Sequence, residues 1–157
     1  MRVGLGYDIH RLVPDRPLRL GGVEIPHPLG LLGHSDGDAL LHAVCDALLG
    51  AAGLGDIGEH FPDSDPALRG ADSARLLAHT LEKVRAAGFA PANLDATIVA
   101  EQPRLGPHKP AIRRRLAELL AIPIASVNVK AKTNEGLDAL GQGLAIAAIA
   151  IVLIQEA

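Results

Sequence analysis

Three side chains suggest the chemistry open to this chain: Asp8, His10 and His42. Asp8-Ile9-His10 lies in a short β-like opening segment, Arg2 to His10. Residues two apart on a strand share a face, so Asp8 and His10 project together while Ile9 turns into the core. His42 follows His34-Ser35-Asp36-Gly37-Asp38, and His34, Asp38 and His42 stand at i, i+4 and i+8. That spacing predicts one stripe of a helix opening in this stretch, with Ser35 or Asp36 as its cap and Gly50 or Gly53 as its end. Leu40, Leu41, Val44, Leu48 and Leu49 give the helix an apolar side to bury. Two imidazoles and one carboxylate suit zinc, and three protein ligands leave the fourth tetrahedral position open for substrate. The same residues also fit a well-capped helix and ordinary polar groups at element ends, because an Asp-x-His triplet is common.

A second polar cluster, Lys130-Ala131-Lys132-Thr133-Asn134-Glu135, closes a strand-like stretch. Lys132 and the Thr133 hydroxyl can hold phosphate oxygens, and Glu135 can hold magnesium if a substrate supplies the other oxygens. An exposed strand end with solvated charges would look the same.

The elements that must position these groups are legible in outline. Leu18 to Leu20 and Val23 to Ile25 flank Gly21-Gly22, a hairpin pattern with a two-residue turn. The stretch from Gly55 to Pro66 is rich in Gly, Pro and Asp and predicts a loop. Asp72-Ser73 caps a second helix that runs to about Ala87, with leucines 76, 77 and 81 and Val84 on its buried face. Asn93 to Ala100 alternates as a strand, Pro110 suits the first turn of a third helix, and Pro123 is expected to stop it. Val127 to Lys132 predicts another strand, followed by a loose glycine-containing connection. The apolar run Leu144 to Ile154 is too short for a bilayer helix, which needs about 20 residues. It predicts a strand buried on both faces or packed into a subunit interface. One domain over residues 1–157 is expected, of the α+β class: a mixed β-sheet with an N-terminal hairpin and three main helices on one face.

Composition excludes several function classes. A net charge of −3 and aromatic rings only at Tyr7, Phe61 and Phe89 argue against nucleic acid as a partner. Cys45 is the one cysteine, so no intrachain disulfide forms, and no leader-like or membrane-spanning segment is seen. A soluble cytoplasmic protein is the expectation. No Walker-type glycine loop and no Gly-x-Ser-x-Gly elbow occur, and Cys45 falls mid-helix among apolar neighbours. Metal-assisted chemistry on a phosphorylated ligand is what is left.

Asp8-Ile9-His10, the hairpin, His34-Ser35-Asp36-Gly37-Asp38 with His42, and Gly55-Asp56-Ile57-Gly58 resemble the 2-C-methyl-D-erythritol 2,4-cyclodiphosphate synthases. Phe61-Pro62-Asp63, Ala71-Asp72-Ser73 and Val129-Lys130-Ala131 through Thr133 and Glu135 extend the likeness over almost the whole chain. The resemblance implies a homotrimer with active sites between subunits, and a lyase-class step of the non-mevalonate route to isoprenoids. It implies a cytidine diphosphate substrate, 4-diphosphocytidyl-2-C-methyl-D-erythritol 2-phosphate, cyclised with release of CMP. Asp8, His10 and His42 would hold Zn2+ or another divalent cation, and Glu135 would hold Mg2+ or Mn2+ with the substrate diphosphate. His34 and Thr133 would steady the transition state, with Asp8, His10, His34 and Ser35 also touching substrate. Asp56, Ile57 and Gly58, with Phe61, Pro62, Asp63, Ser64 and Asp65, would line the methylerythritol side. Ala100, Glu101, Gln102, Pro103, Arg104, Leu105 and Gly106, with Lys132, Thr133, Asn134 and Glu135, would form the cytidine diphosphate side across the interface.

One stretch departs from the family. A glycine-aromatic-threonine-glycine-arginine-glycine run is usual after the glutamate, but Asp138-Ala139-Leu140-Gly141-Gln142-Gly143 stands here. Ala139 and Gln142 replace the aromatic and the arginine associated with the trimer's central cavity, so an isoprenoid diphosphate is expected to bind there weakly or not at all. Lys132 where threonine is common is a milder change. Two rivals share the metal residues: a zinc-dependent phosphoester hydrolase, and a nucleotide- and metal-binding trimer without cyclase activity.

Overall fold

The apolar run near the C-terminus becomes the middle of the sheet. The computed structural model describes residues 1–62 and 64–157, and the side chain of Ala67 lies outside that description. The chain begins with β1 (Arg2–Pro14), the hairpin β2 (Leu18–Leu20) and β3 (Val23–Ile25), and β4 (Leu29–Leu31). Next come α1 (Ala39–Ala52), the single turn α2 (Ile57–His60), α3 (Ser73–Ala86), β5 (Phe89–Val99) and α4 (Lys109–Leu120). The last elements are β6 (Val127–Lys132), the short α5 (Asp138–Gly141) and β7 (Ala145–Glu156). The main sheet has the order β4-β1-β7-β5-β6, with only β5 and β6 parallel. This is the expected α+β architecture, with α1, α3 and α4 packed against one face.

Alternation separates the two faces. Leu94, Ala96 and Ile98 of β5 and Ala148, Ala150, Val152 and Ile154 of β7 are buried under the helices. On the opposite face, Val3, Leu5, Tyr7 and Ile9 are exposed, and Ile151 beside them is 42% exposed. Burial of β7 on both faces is therefore seen within one chain only over its first four residues, Ala145 to Ala148. From Ile149 onward its outward side chains are only partly covered, because no element of the described chain lies over that side.

Two glycines bring α1 unusually close to β1. A Cβ on Gly4 would lie 1.9 Å from the Ala47 carbonyl oxygen, and one on Gly6 would lie 1.9 Å from that of Ala43. No side chain fits there, so helix and strand meet backbone to backbone. Ala43, Ala47 and Ala51 are the helix residues facing the contact, and Leu40, Leu41, Val44 and Leu48 fill the space beside it. Full burial of each leucine contributes roughly 1.5–3 kcal/mol.

Several boundaries differ from expectation. β1 does not end at His10; it continues to Pro14 because Leu12 to Pro14 pair with β4. That small edge strand, where a plain exit from the hairpin was expected, carries no period long enough to recognise. The first helix starts at Ala39, with Asp38 as its cap accepting the Leu41 amide at 3.0 Å. Asp38 also receives the Gly21 and Gly22 amides at 2.9 and 2.7 Å, fastening the hairpin to the helix start. Gly37, at φ 76°, breaks helical geometry just upstream. His34 and Asp38 therefore share no helical stripe with His42, and neither Ser35 nor Asp36 is the cap. Gly53 does end α1 in the left-handed conformation. α4 stops at Leu120, before Pro123, by the same device at Ala121.

Candidate active site

β1 and α1 deliver the three expected ligands to one point. His42 Nδ1 and His10 Nε2 each lie 2.9 Å from Asp8 Oδ2, and 3.2 Å from each other. These donor atoms all fall within 4.8 Å of one another, in partly buried surroundings. His10 sits with its Nδ1 2.6 Å from the Leu32 carbonyl, which accepts that ring proton and leaves Nε2 directed at Asp8. Burial alone would raise the Asp8 carboxyl, but its close contacts with the His10 and His42 rings overcome it and hold the group well below the carboxylate range. Burial likewise works against charge on His10, and the Asp8 contact outweighs it, raising the imidazole above its ordinary 6.5. The donor set and its convergence fit a divalent cation with a free coordination position.

A cavity of about 450 Å³ opens from this cluster. His34, Ser35, Ile57, Gly58 and Phe61 line it as expected, together with Leu32, Gly33, Leu68 and Leu76, none of which sequence reasoning placed at the site. His34 reaches it from the loop before α1, held by Arg16, whose guanidinium donates to the Ser35 carbonyl at 2.8 Å and the Gly33 carbonyl at 3.3 Å. Asp56 caps α2 through the Glu59 amide at 3.0 Å, and Asp46 of α1 takes the Ile57 amide at 2.8 Å. The 55–66 stretch thus holds a helical turn where only loop was expected. A single turn is too short to show a period. Pro62, Ser64 and Asp65 are exposed beside the cavity, with the Asp65 carbonyl 3.3 Å from His34 Nε2, while Asp63 lies outside the described residues.

The other expected half-site forms elsewhere. Parallel pairing of β5 with β6 places residues 100–106 beside residues 132–135, and the Ala100 amide donates to the Lys132 carbonyl at 2.9 Å. The Asn134 amide donates to Glu101 Oε2 at 3.3 Å, and the Thr133 hydroxyl to Glu135 Oε1 at 3.2 Å. Ala100 and Leu105 are buried, whereas Gln102, Arg104, Gly106, Lys132, Thr133 and Glu135 are exposed. Pro103 is half-buried in the same loop. None of these residues lines the Asp8 cavity among the described residues. Strands β7 and β5 separate β1 from β6, three strand spacings or about 14 Å. Ala139 and Gln142 are exposed on and just after α5.

Sequence reasoning missed the groups behind His42. Ser73 Oγ lies 2.9 Å and Ser35 Oγ 3.1 Å from its Nε2, and Ser73 Oγ donates to Asp36 Oδ1 at 2.5 Å. No signal links His42 to Ser73 in the sequence, because a whole loop separates them. Burial pushes the Cys45 thiol up to about 12, which agrees with its expected lack of nucleophilic character.

Comparison with known proteins decides the family, since the YgbB family model matches residues 1–155. The chain belongs to the YgbB family. It is 62% identical over 156 residues to the 2-C-methyl-D-erythritol 2,4-cyclodiphosphate synthase of Bordetella petrii, covering 99% of this chain and 96% of that one. A solved 2C-methyl-D-erythritol-2,4-cyclodiphosphate synthase in a CDP-bound form superposes with a TM-score of 0.90 at 43% identity, covering 98% of this chain and 100% of that one. The bifunctional IspDF from Campylobacter jejuni matches with a TM-score of 0.95 at 41% identity. That match covers 99% of this chain and 42% of the longer protein. The family membership agrees with the metal cluster and cavity just described. No helix among the described residues is long and apolar enough to cross a membrane.

Proposed function

We propose that this chain cyclises 4-diphosphocytidyl-2-C-methyl-D-erythritol 2-phosphate to 2-C-methyl-D-erythritol 2,4-cyclodiphosphate, releasing CMP. The observation that carries this reading is the convergence of Asp8, His10 and His42 on the wall of the cavity, in a chain of this family. An oxygen of the 2-phosphate attacks the β-phosphorus, the bond from that phosphorus to the bridging oxygen breaks, and CMP carries the electron pair away. Zinc or another divalent cation at Asp8, His10 and His42, with magnesium or manganese at Glu135, would neutralise and polarise the diphosphate.

The chain's own part is chiefly positioning. His34 and Ser35 hold the phosphate end of methylerythritol, and Ile57, Gly58 and Phe61 wall off its carbon skeleton, with residues 56 and 62–65 completing that side. Residues 100–106 and 132–135 hold the cytidine diphosphate end, and His34 and Thr133 donate to charge that builds on the reacting oxygens. Fixing nucleophile and leaving group in line makes a step within one molecule fast, and an ionised phosphate needs no base.

The assembly is a homotrimer in this reading. Two features support it: the exposed apolar face made by Val3, Leu5, Tyr7, Ile9 and Ile151, and the separation of Glu135 from the Asp8 cavity within one chain. A neighbouring chain brings its 100–106 and 132–135 segments to each cavity.

Phosphorus NMR of the purified protein with the diphosphocytidyl substrate, zinc and magnesium tests the reaction. Cyclic diphosphate with stoichiometric CMP, lost on chelation, is expected. A linear product would favour a phosphoester hydrolase, and unchanged substrate a binding protein.

A further inference from the structure

We propose that Asp36 and Ser73 are positioning residues for the metal centre, an inference that rests on the metal reading of Asp8, His10 and His42. The Asp36 carboxylate turns the Ser73 hydroxyl so that it must accept a proton from His42 Nε2, which keeps the His42 Nδ1 lone pair for the metal.

Proton counting carries the assignment. Asp36 accepts the Asp38 amide on Oδ1 and the Ser73 amide on Oδ2, both at 3.1 Å. A carboxylate offers only acceptors, so the short contact with Ser73 Oγ uses the one proton the hydroxyl owns. Ser73 then presents only a lone pair to His42 Nε2, 2.9 Å away. A neutral imidazole with its proton on Nε2 has its lone pair on Nδ1, the atom that faces Asp8 and His10. Ser35 Oγ, 3.1 Å from the same Nε2, accepts the Gly37 amide at 3.2 Å and has Ser73 Oγ at 3.4 Å as an acceptor for its own proton, so it too can offer Nε2 a lone pair.

Helix capping does not account for the Ser73 hydroxyl. Asp72 caps α3, accepting the Ala74 amide at 2.8 Å. Ser73 is completely buried, so its hydroxyl is held away from bulk solvent and its partners are the side chains named. The two histidines are thus backed differently: His10 leans on the Leu32 backbone carbonyl, and His42 on a hydroxyl tied to a carboxylate. A charged group at the far end of such a chain raises the basicity of the ring nitrogen without adding a second carboxylate beside the ion.

Zinc titrations of the full chain against a chromophoric chelator test this, with melting curves of the metal-free forms as the check on folding. Ser73→Ala and Asp36→Asn should each bind zinc about 10- to 100-fold more weakly than the unaltered protein. Ser73→Thr, which keeps the hydroxyl, should recover most of the affinity. The visible spectrum of cobalt-loaded Asp36→Asn should shift, because an amide can donate to Ser73 and free its proton to face Nε2. A folded Ser73→Ala protein with unchanged zinc affinity would overturn the relay and leave the metal site standing. Failure of the unaltered protein to take up zinc would overturn both. If Ser73→Ala does not fold, Asp36→Asn decides by the same measure.

Discussion

The two ends of the expected site are built in opposite ways. Around Asp8, His10 and His42 each side chain has a partner besides the cluster's first contact: a backbone carbonyl behind His10, a hydroxyl behind His42, and two rings on Asp8. Around Thr133 and Glu135 the side chains are exposed and meet each other at 3.2 Å, while Glu101 reaches the segment only through the Asn134 backbone amide at 3.3 Å. Glu135 also holds a left-handed backbone at φ 52°, uncommon for this residue type. One end is preorganised by its own chain. The other has little to hold it in place, as suits a half-site that another molecule completes.

The sharpest way to break this contrast is at the ordered end. His42→Ala should lower zinc affinity by at least about 100-fold, measured by metal content after gel filtration, because a lost ligand costs more than a lost support. Unchanged metal content would remove the triad from the chemistry. At the open end, Glu135→Gln should slow CMP release by about 100-fold while zinc content stays at one per chain. A loss of zinc in that variant would mean that the two ends are not separate.

Packing gives the next largest effect. Gly6→Ala forces α1 away from β1 and should cost at least about 1–3 kcal/mol in a denaturant melt, with zinc affinity falling alongside. Acid and base then act on the ordered end in opposite senses. The His10 imidazole is raised above 6.5 in the folded chain, so its contact with Asp8 stabilises the metal-free protein fully below 6.5 and is lost as the pH climbs through the raised value. Over that same interval zinc affinity should increase, since the ion displaces the His10 proton. Melting curves and zinc titrations across it should therefore run in opposite directions. The smallest effect belongs to the exposed pair of Lys130 and Asp95, 2.6 Å apart, where Lys130→Ala should change stability by less than about 1 kcal/mol.

How much of this was legible in the sequence follows from the range of the interactions. Gly21-Gly22 announced the hairpin because two left-handed residues in a row suit one kind of tight turn. β6 was placed to the residue by its alternation, and Asp8-x-His10 gave two of the three clustered side chains because strand geometry repeats every second residue. The start of α1 was misplaced because Asp38 competes with Ser35 and Asp36 for the same capping role. What settles it is a hairpin 16 and 17 residues away that needs the Asp38 carboxylate. The Asp36–Ser73–His42 chain was invisible for a related cause: 37 and 31 residues separate its links. The two rows of apolar side chains on the sheet were both readable, but their unequal cover was not. Both faces of β7 read as apolar, and only the fold shows which one the helices use.

Gly4 and Gly6 have one more consequence. The distance between β1 and α1, and with it the reach from Asp8 and His10 to His42, is set by two hydrogens, where any other residue would present a carbon. Such a gauge cannot be adjusted in small steps, because the next smallest side chain already overshoots. A designer wanting a larger ion would do better to change the ligands than the spacing.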